Sequence, residues 1–185
     1  MSTPIPEFKG VTPHIIVRDA DAAIKHYQEV LGAELMWRQD GPDGRVWVAA
    51  LNINGGTLLL ADEFPEFGLV SPATIGGPSV ALHVYVDDVE ETVGKAIAAG
   101  MHAPWGVKEM HWGDDYSQLD DPFGHKWAFA TRKQDYSKDE LREKSDEFFK
   151  EYRHEIDRAE EYAEEWHEEH PNAAKPNVPP KRGQA

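Results

Sequence analysis

Cysteine is absent from the 185 residues, which excludes a disulfide scaffold, thiolate-bound zinc, iron–sulfur clusters and a cysteine nucleophile. Bases are scarce: 19 Lys and Arg stand against 34 Asp and Glu, for a net charge of −15. So little positive charge argues against nucleic-acid binding through phosphates and against docking on anionic membranes. No apolar run approaches a membrane span. Residues 1–9 lack the basic-then-apolar pattern of a secretion signal, so the expectation is a soluble, cytoplasmic protein. Phosphate-loop, Gly-x-Gly-x-x-Gly and Gly-x-Ser-x-Gly motifs are also missing. What remains is ordinary core material, with hydrophobic residues making up 40% of the chain.

Composition changes near residue 134. Residues 138–170 hold 14 acids against 6 bases, a balance of −8. Their apolar positions, from Leu141 through Phe148, Phe149, Tyr152 and Ile156 to Trp166, recur at gaps of mostly three and four and predict a long amphipathic helix over 137–170. Ser137 and Glu140 form a capping-box pattern at its start, and Pro171 stops it. Residues 171–185, with four prolines, read as a disordered tail.

The first part repeats itself. Residues 11–17 predict a strand, 19–31 a helix ending at Gly32, and 34–39, 45–53 and 57–61 three strands. After a Gly/Pro-rich link at 68–78, the same order returns: strand 79–86, helix 88–99, then strands near 102–110, 112–119 and 125–131. An offset of 69 superimposes the halves, with His14 on His83, Val17 on Val86 and Asp19 on Asp88. Asp19 and Asp88 stand where helix N-caps belong. The histidines are less ordinary, because histidine is not a default core residue.

Several segments carry a resemblance: Val11-Thr-Pro-His-Ile-Ile-Val17, Leu60-Ala-Asp-Glu-Phe-Pro65, Leu82-His-Val-Tyr-Val86, Trp112-Gly-Asp114 and Asp121-Pro-Phe-Gly-His-Lys-Trp127. In this order, with the repeat, residues 10–133 resemble the vicinal oxygen chelate superfamily, most closely its PhnB-like, glyoxalase/bleomycin-resistance branch. The resemblance implies an α+β fold of two βαβββ modules (about 10–67 and 79–133), whose curved mixed sheets surround a cleft. The helical extension follows them. The resemblance also implies a homodimer and a small-molecule ligand.

Metal-dependent members hold one divalent ion with four His, Gln or Glu side chains on the first and last strand of each module. The matching positions here are Thr12, Ala81, Ala128 and a residue near Leu60–Asp62, of which only Asp62 can ligate. The usual metal set is therefore not expected, and no cofactor is implied with certainty. His14 and His83 lie two residues beyond Thr12 and Ala81, so strand alternation points them to the same side as those positions. Three readings stand: a displaced divalent-metal site of His14, His83 and Asp62 or Glu63; a histidine acid–base pair; or two histidines in a polar cavity without chemistry. Trp47, Trp105, Trp112 and Tyr116 are candidate cleft rings for stacking a ligand, whereas Trp127 reads as core. Relatives often carry an arginine where this chain has Asp115, which disfavours an anionic ligand. The sequence thus supports binding of an aromatic or amphipathic compound, with resistance-type sequestration as one form. The alternative is a lyase, isomerase or oxygenase using His14 and His83 with a cleft carboxylate.

Overall fold

The structure is a computed structural model and describes Phe8 and residues 10–153, 157–169 and 171. The described residues fall into two compact units: those up to 110 with 114–133, and 111–113 with those from 134 onward.

The first unit contains the repeat. Strand β1 (His14–Val17), helix α1 (Ala20–Leu31), and strands β2 (Glu34–Asp40), β3 (Val46–Ile53) and β4 (Gly56–Asp62) make one module. Strand β5 (Ala81–Tyr85), helix α3 (Val89–Ala98), and strands β6 (Lys108–Glu109), β7 (Asp114–Asp120) and β8 (Lys126–Arg132) make the other. The sheets run β1-β4-β3-β2 and β5-β8-β7-β6, with β1 parallel to β4 and β5 parallel to β8. The link between modules carries a 3-10 turn (Pro65–Phe67) and a single-turn helix α2 (Pro72–Ile75).

The helices begin and end where local chemistry dictates. Asp19 accepts from the Ala22 N–H and Asp88 from the Glu91 N–H, satisfying donors that the first turn leaves free. Gly32 closes α1 in the left-handed conformation, at φ 61°. One face of each sheet packs on the helices. Ile15, Val17, Leu51, Leu58 and Leu60 meet Ala23, Ile24, Tyr27 and Val30 in a core that continues through Leu119, Trp127 and Phe129 of the second module.

A buried carboxylate joins the modules. Asp121 Oδ2 accepts from the Tyr27 hydroxyl at 2.7 Å and from Trp127 Nε1 at 2.9 Å, while Oδ1 accepts the N–H groups of Phe123 and His125. Those four donors supply what a buried carboxylate requires. Burial of the Tyr27 hydroxyl, and then the charge of the Asp121 carboxylate beside it, push the Tyr27 pKa upward.

The strand expected over 102–110 pairs only at Lys108–Glu109, with one isolated bridge between His102 and Asp120. Pro104 has no N–H to give a ladder, which accounts for the interruption.

Among the described residues, the second unit holds α4 (Lys138–Glu151) and α5 (Ala159–Glu169), both within the span where the periodicity predicts one helix. Tyr152 caps the first, its N–H bonding the Phe148 carbonyl, and residues 154–156 lie outside the described ones. The Ser137–Glu140 capping box is formed. The expected tail, apart from Pro171, also lies outside the described residues.

Candidate ligand site

Strand alternation sorts the side chains of the second module. Leu82 and Val84 lie opposite Trp127 and Phe129, facing the helices. Ala81, His83 and Tyr85 therefore share the opposite face with Ala128 and Ala130 of β8 and with Asp114, Tyr116 and Gln118 of β7. Small alanines on β8 leave room for rings on either side. His83 and Tyr85 stack at 5.1 Å and 25°, and His83 lies 5.7 Å from Tyr116. Trp105 lies 5.8 Å beyond Tyr116, with the Lys108 ammonium 5.4 Å over the Trp105 ring. Four rings thus form one platform on the side of the sheet away from its helix.

The platform is braced from its own face of the sheet. Asp114 is fully buried and accepts from the Tyr85 hydroxyl at 2.8 Å, while its other oxygen lies 2.7 Å from Arg132 Nε. Arg132 Nη2 also donates to the Tyr85 hydroxyl at 3.1 Å. This triangle fixes the Tyr85 ring and consumes the Arg132 charge. Lys126 pairs with Asp120 and Lys133 with Asp115, so those cations are partnered too.

Beside the platform lies a cavity of about 480 Å³, lined by Val80 to Tyr85 on one side and by Ile53, Asn54 and Gly56 to Leu58 on the other. A second cavity, about 250 Å³, follows β1 and is lined by Pro13 to Ile16, His125 and the link residues Val70, Pro72, Ile75 and Gly77 to Val80.

The expected residues fall into three groups. His83 and Tyr116 join Trp105 on the platform. His14 lines the second cavity, where desolvation of its imidazole lowers the pKa, so the two histidines open onto different cavities. The remaining candidates are engaged elsewhere. Asp62 accepts from the N–H of Ala20 at 2.8 Å and of Val46 at 2.6 Å, and it pairs in register with Val17 on the helix-facing side, away from His14. Glu63 accepts from the Ser71 N–H and hydroxyl and from the Thr74 hydroxyl, which holds its carboxyl at about 2. Trp47 packs on Phe64 and Phe67 under the Arg45–Glu66 ion pair. Trp112 belongs to the second unit, 4.9 Å from the His111 ring.

The donor set does not fit the divalent ion of the metal-dependent relatives. Alanine at 81 and 128 offers no ligand atom, and both Asp62 oxygens are taken by backbone donors. No three His, Asp or Glu side chains among the described residues converge on one point. The displaced His14, His83 and Asp62 or Glu63 constellation is not brought together.

Tyr85, Asp114 and Arg132 were not among the candidates. Their signal was the alternation itself, since Tyr85 lies two residues from His83 on the same strand.

Two consecutive βαβββ modules, each a four-stranded mixed sheet backed by a helix, define a class of paired-module α+β proteins. A family model for the Glyoxalase/Bleomycin resistance protein/Dioxygenase superfamily matches residues 10–129, and the chain belongs to that superfamily. It is 35% identical over 135 residues to the uncharacterized protein Rv0887c of Mycobacterium tuberculosis, covering 71% of this chain and 79% of the relative. Among solved structures it resembles TioX from Micromonospora sp. ML1, at 26% identity and a TM-score of 0.53, covering 68% of this chain and 99% of TioX. TnmS3, an antibiotic binding protein from Streptomyces sp. CB03234, shares the fold at 23% identity and a TM-score of 0.52, covering 69% of this chain and 99% of TnmS3. Among the described residues no helix is long and apolar enough to cross a membrane.

Proposed function

We propose that this protein binds and sequesters a planar, amphipathic small molecule, as a homodimer. The exposed rings of His83 and Tyr85, with half-buried Trp105 and buried Tyr116 packed beside them and a ligand-sized cavity adjoining, carry the reading, because exposed ring surface gains most from a stacked planar partner. Arg132, Lys133 and Lys126 are paired with Asp114, Asp115 and Asp120, so of the bases described around the platform Lys108, over the Trp105 ring, is the one left to meet an anion, which favours a neutral or cationic ligand. That TnmS3 is an antibiotic binding protein of the same fold is consistent with sequestration of a toxic compound.

The test is fluorescence titration with acridine orange, a planar cation. Trp105→Ala is expected to weaken binding by about 1–3 kcal/mol, the cost of losing an aromatic contact at a binding site. Unchanged affinity in that variant, or no binding to the unmodified protein, would refute the platform as the ligand site.

A further inference from the structure

Both first strands lie at the rim of their sheets, and each leaves one backbone edge unpaired by another strand. In a parallel pair, alternate residues address a given neighbour. The Val86 N–H bonds the Ala130 carbonyl, so Leu82, Val84 and Val86 address β8. The N–H and C=O groups of Ala81, His83 and Tyr85 then point to the free side. The Tyr85 carbonyl does so, accepting from the Asn54 side-chain amide at 2.5 Å. The other module repeats the arrangement: the Leu59 N–H bonds the Pro13 carbonyl, and the outward Ile16 carbonyl lies 2.9 Å from His125 Nε2. Ile16 and Tyr85 are 69 residues apart, and each is met by a turn of the opposite module.

The two edges differ in what covers them. Along β1, the link supplies Val70, Pro72, Ile75 and Gly77 to Val80, and the space left is about 250 Å³. Along β5, Val11, Pro13 and the β3–β4 hairpin residues Ile53, Asn54 and Gly56 to Leu58 line the space, and about 480 Å³ remains. The larger cavity therefore combines outward N–H and C=O groups of Ala81 and His83 with apolar walls from Ile53, Leu58, Leu82 and Trp127. The platform residues His83 and Tyr85 also line it.

We infer that the ligand of this site is peptidic: an extended, amide-bearing molecule that pairs with the free edge of β5 and lays an aromatic group on the His83–Tyr85 platform. This rests on the ligand-binding reading above and adds its chemical class. Asn54 already shows an amide seated on this edge, and the spacing of strand backbone matches any ligand with amides in extended sequence. Apolar side chains alternating from such a ligand would meet Ile53 and Leu58 on one side and the rings on the other.

The probe is the blocked tripeptide N-acetyl-Val-Tyr-Val-methylamide, titrated into the full chain by calorimetry and by amide hydrogen exchange. Binding is expected to slow exchange at Ala81 and His83, whose N–H groups face the edge. Methylating one alternate set of probe amides should weaken binding at least tenfold, and methylating the other set should change it little. Ala81→Pro removes one edge donor at the first residue of the strand, where proline is tolerated, and should weaken the probe; Ala81→Ser keeps the donor and should not. Indifference to both methylation sets, or no protection at Ala81 and His83, overturns the peptidic assignment. If acridine orange still binds in that case, the platform reading survives alone. Protection of these two amides in the ligand-free protein, whether or not it falls on dilution, also overturns the inference, because the edge is then already filled.

Discussion

Asp62 and Thr131 stand 69 residues apart and hold the same place in their modules. The Asp62 carboxylate accepts from the N–H of Ala20, the first residue of α1. The Thr131 hydroxyl accepts from the N–H of Val89, the first residue of α3, and donates to the Val86 carbonyl. Each last strand thus pins the start of its own module's helix, and Asp62 also takes the Val46 N–H. This recurrence turns the one carboxylate that could have ligated a metal into a backbone fastener. Asp62→Ala should cost about 1–3 kcal/mol, the penalty for orphaning hydrogen-bonding groups inside a fold, read as a lower urea midpoint. Its affinity for acridine orange should match that of the unmodified protein. Intact stability combined with lost binding would return Asp62 to the ligand site.

At the level of elements, Glu63 and Arg18 brace the short helix α2. Arg18 donates to the Ala73 carbonyl and to the Thr74 hydroxyl, and Glu63 accepts from Ser71 and Thr74. Hydrogen bonds from Ser71, then Thr74, depress the Glu63 pKa from the ordinary 4.5 to about 2. A depressed carboxyl stabilises the folded brace in full above 4.5, and that contribution fades as pH falls through the interval towards 2. Exchange of the amides in 70–76 should therefore rise as pH is lowered across that interval, after correction for intrinsic rates. In Glu63→Gln the pH dependence should disappear. A wild-type profile as flat as the variant's would show that the brace does not depend on the charge. The elements themselves were largely legible in the sequence, because α1 and α3 announce themselves by Asp caps and the strands by alternation. One was misread for a physical reason. The expected strand at 102–110 contained a proline that vetoes pairing. Of the candidate site, alternation put His83 on the face of Ala81 and composition marked Tyr116 and Trp105 as rings, but which carboxylates remain available depends on distant backbone donors. A one-dimensional pattern does not reveal those.

At the scale of the whole molecule, the second unit carries an exposed apolar stripe. Within it, His111 lies 4.4 Å from Phe148 and 5.9 Å from Phe149, and the Gln134 N–H bonds the Gly113 carbonyl. Gly113 has φ 94°, and a Cβ there would sit 2.1 Å from the Gln134 carbonyl oxygen, so only glycine fits this junction. Helices this acidic gain little from their own backbone and depend on burying an apolar stripe. Yet Phe149 is 51% exposed and Tyr162 46% exposed. A second copy of the chain would supply the missing cover, which agrees with the homodimer proposed above. Sedimentation of the full chain should then give twice the 20.8 kDa chain mass. Phe149→Ser and Tyr162→Ser together should shift the equilibrium towards monomer while α4 and α5 remain helical by circular dichroism. A monomer at every concentration would refute the dimer. A dimer untouched by the two substitutions would place its interface on the paired sheets, and would leave the acidic helices without a part in it.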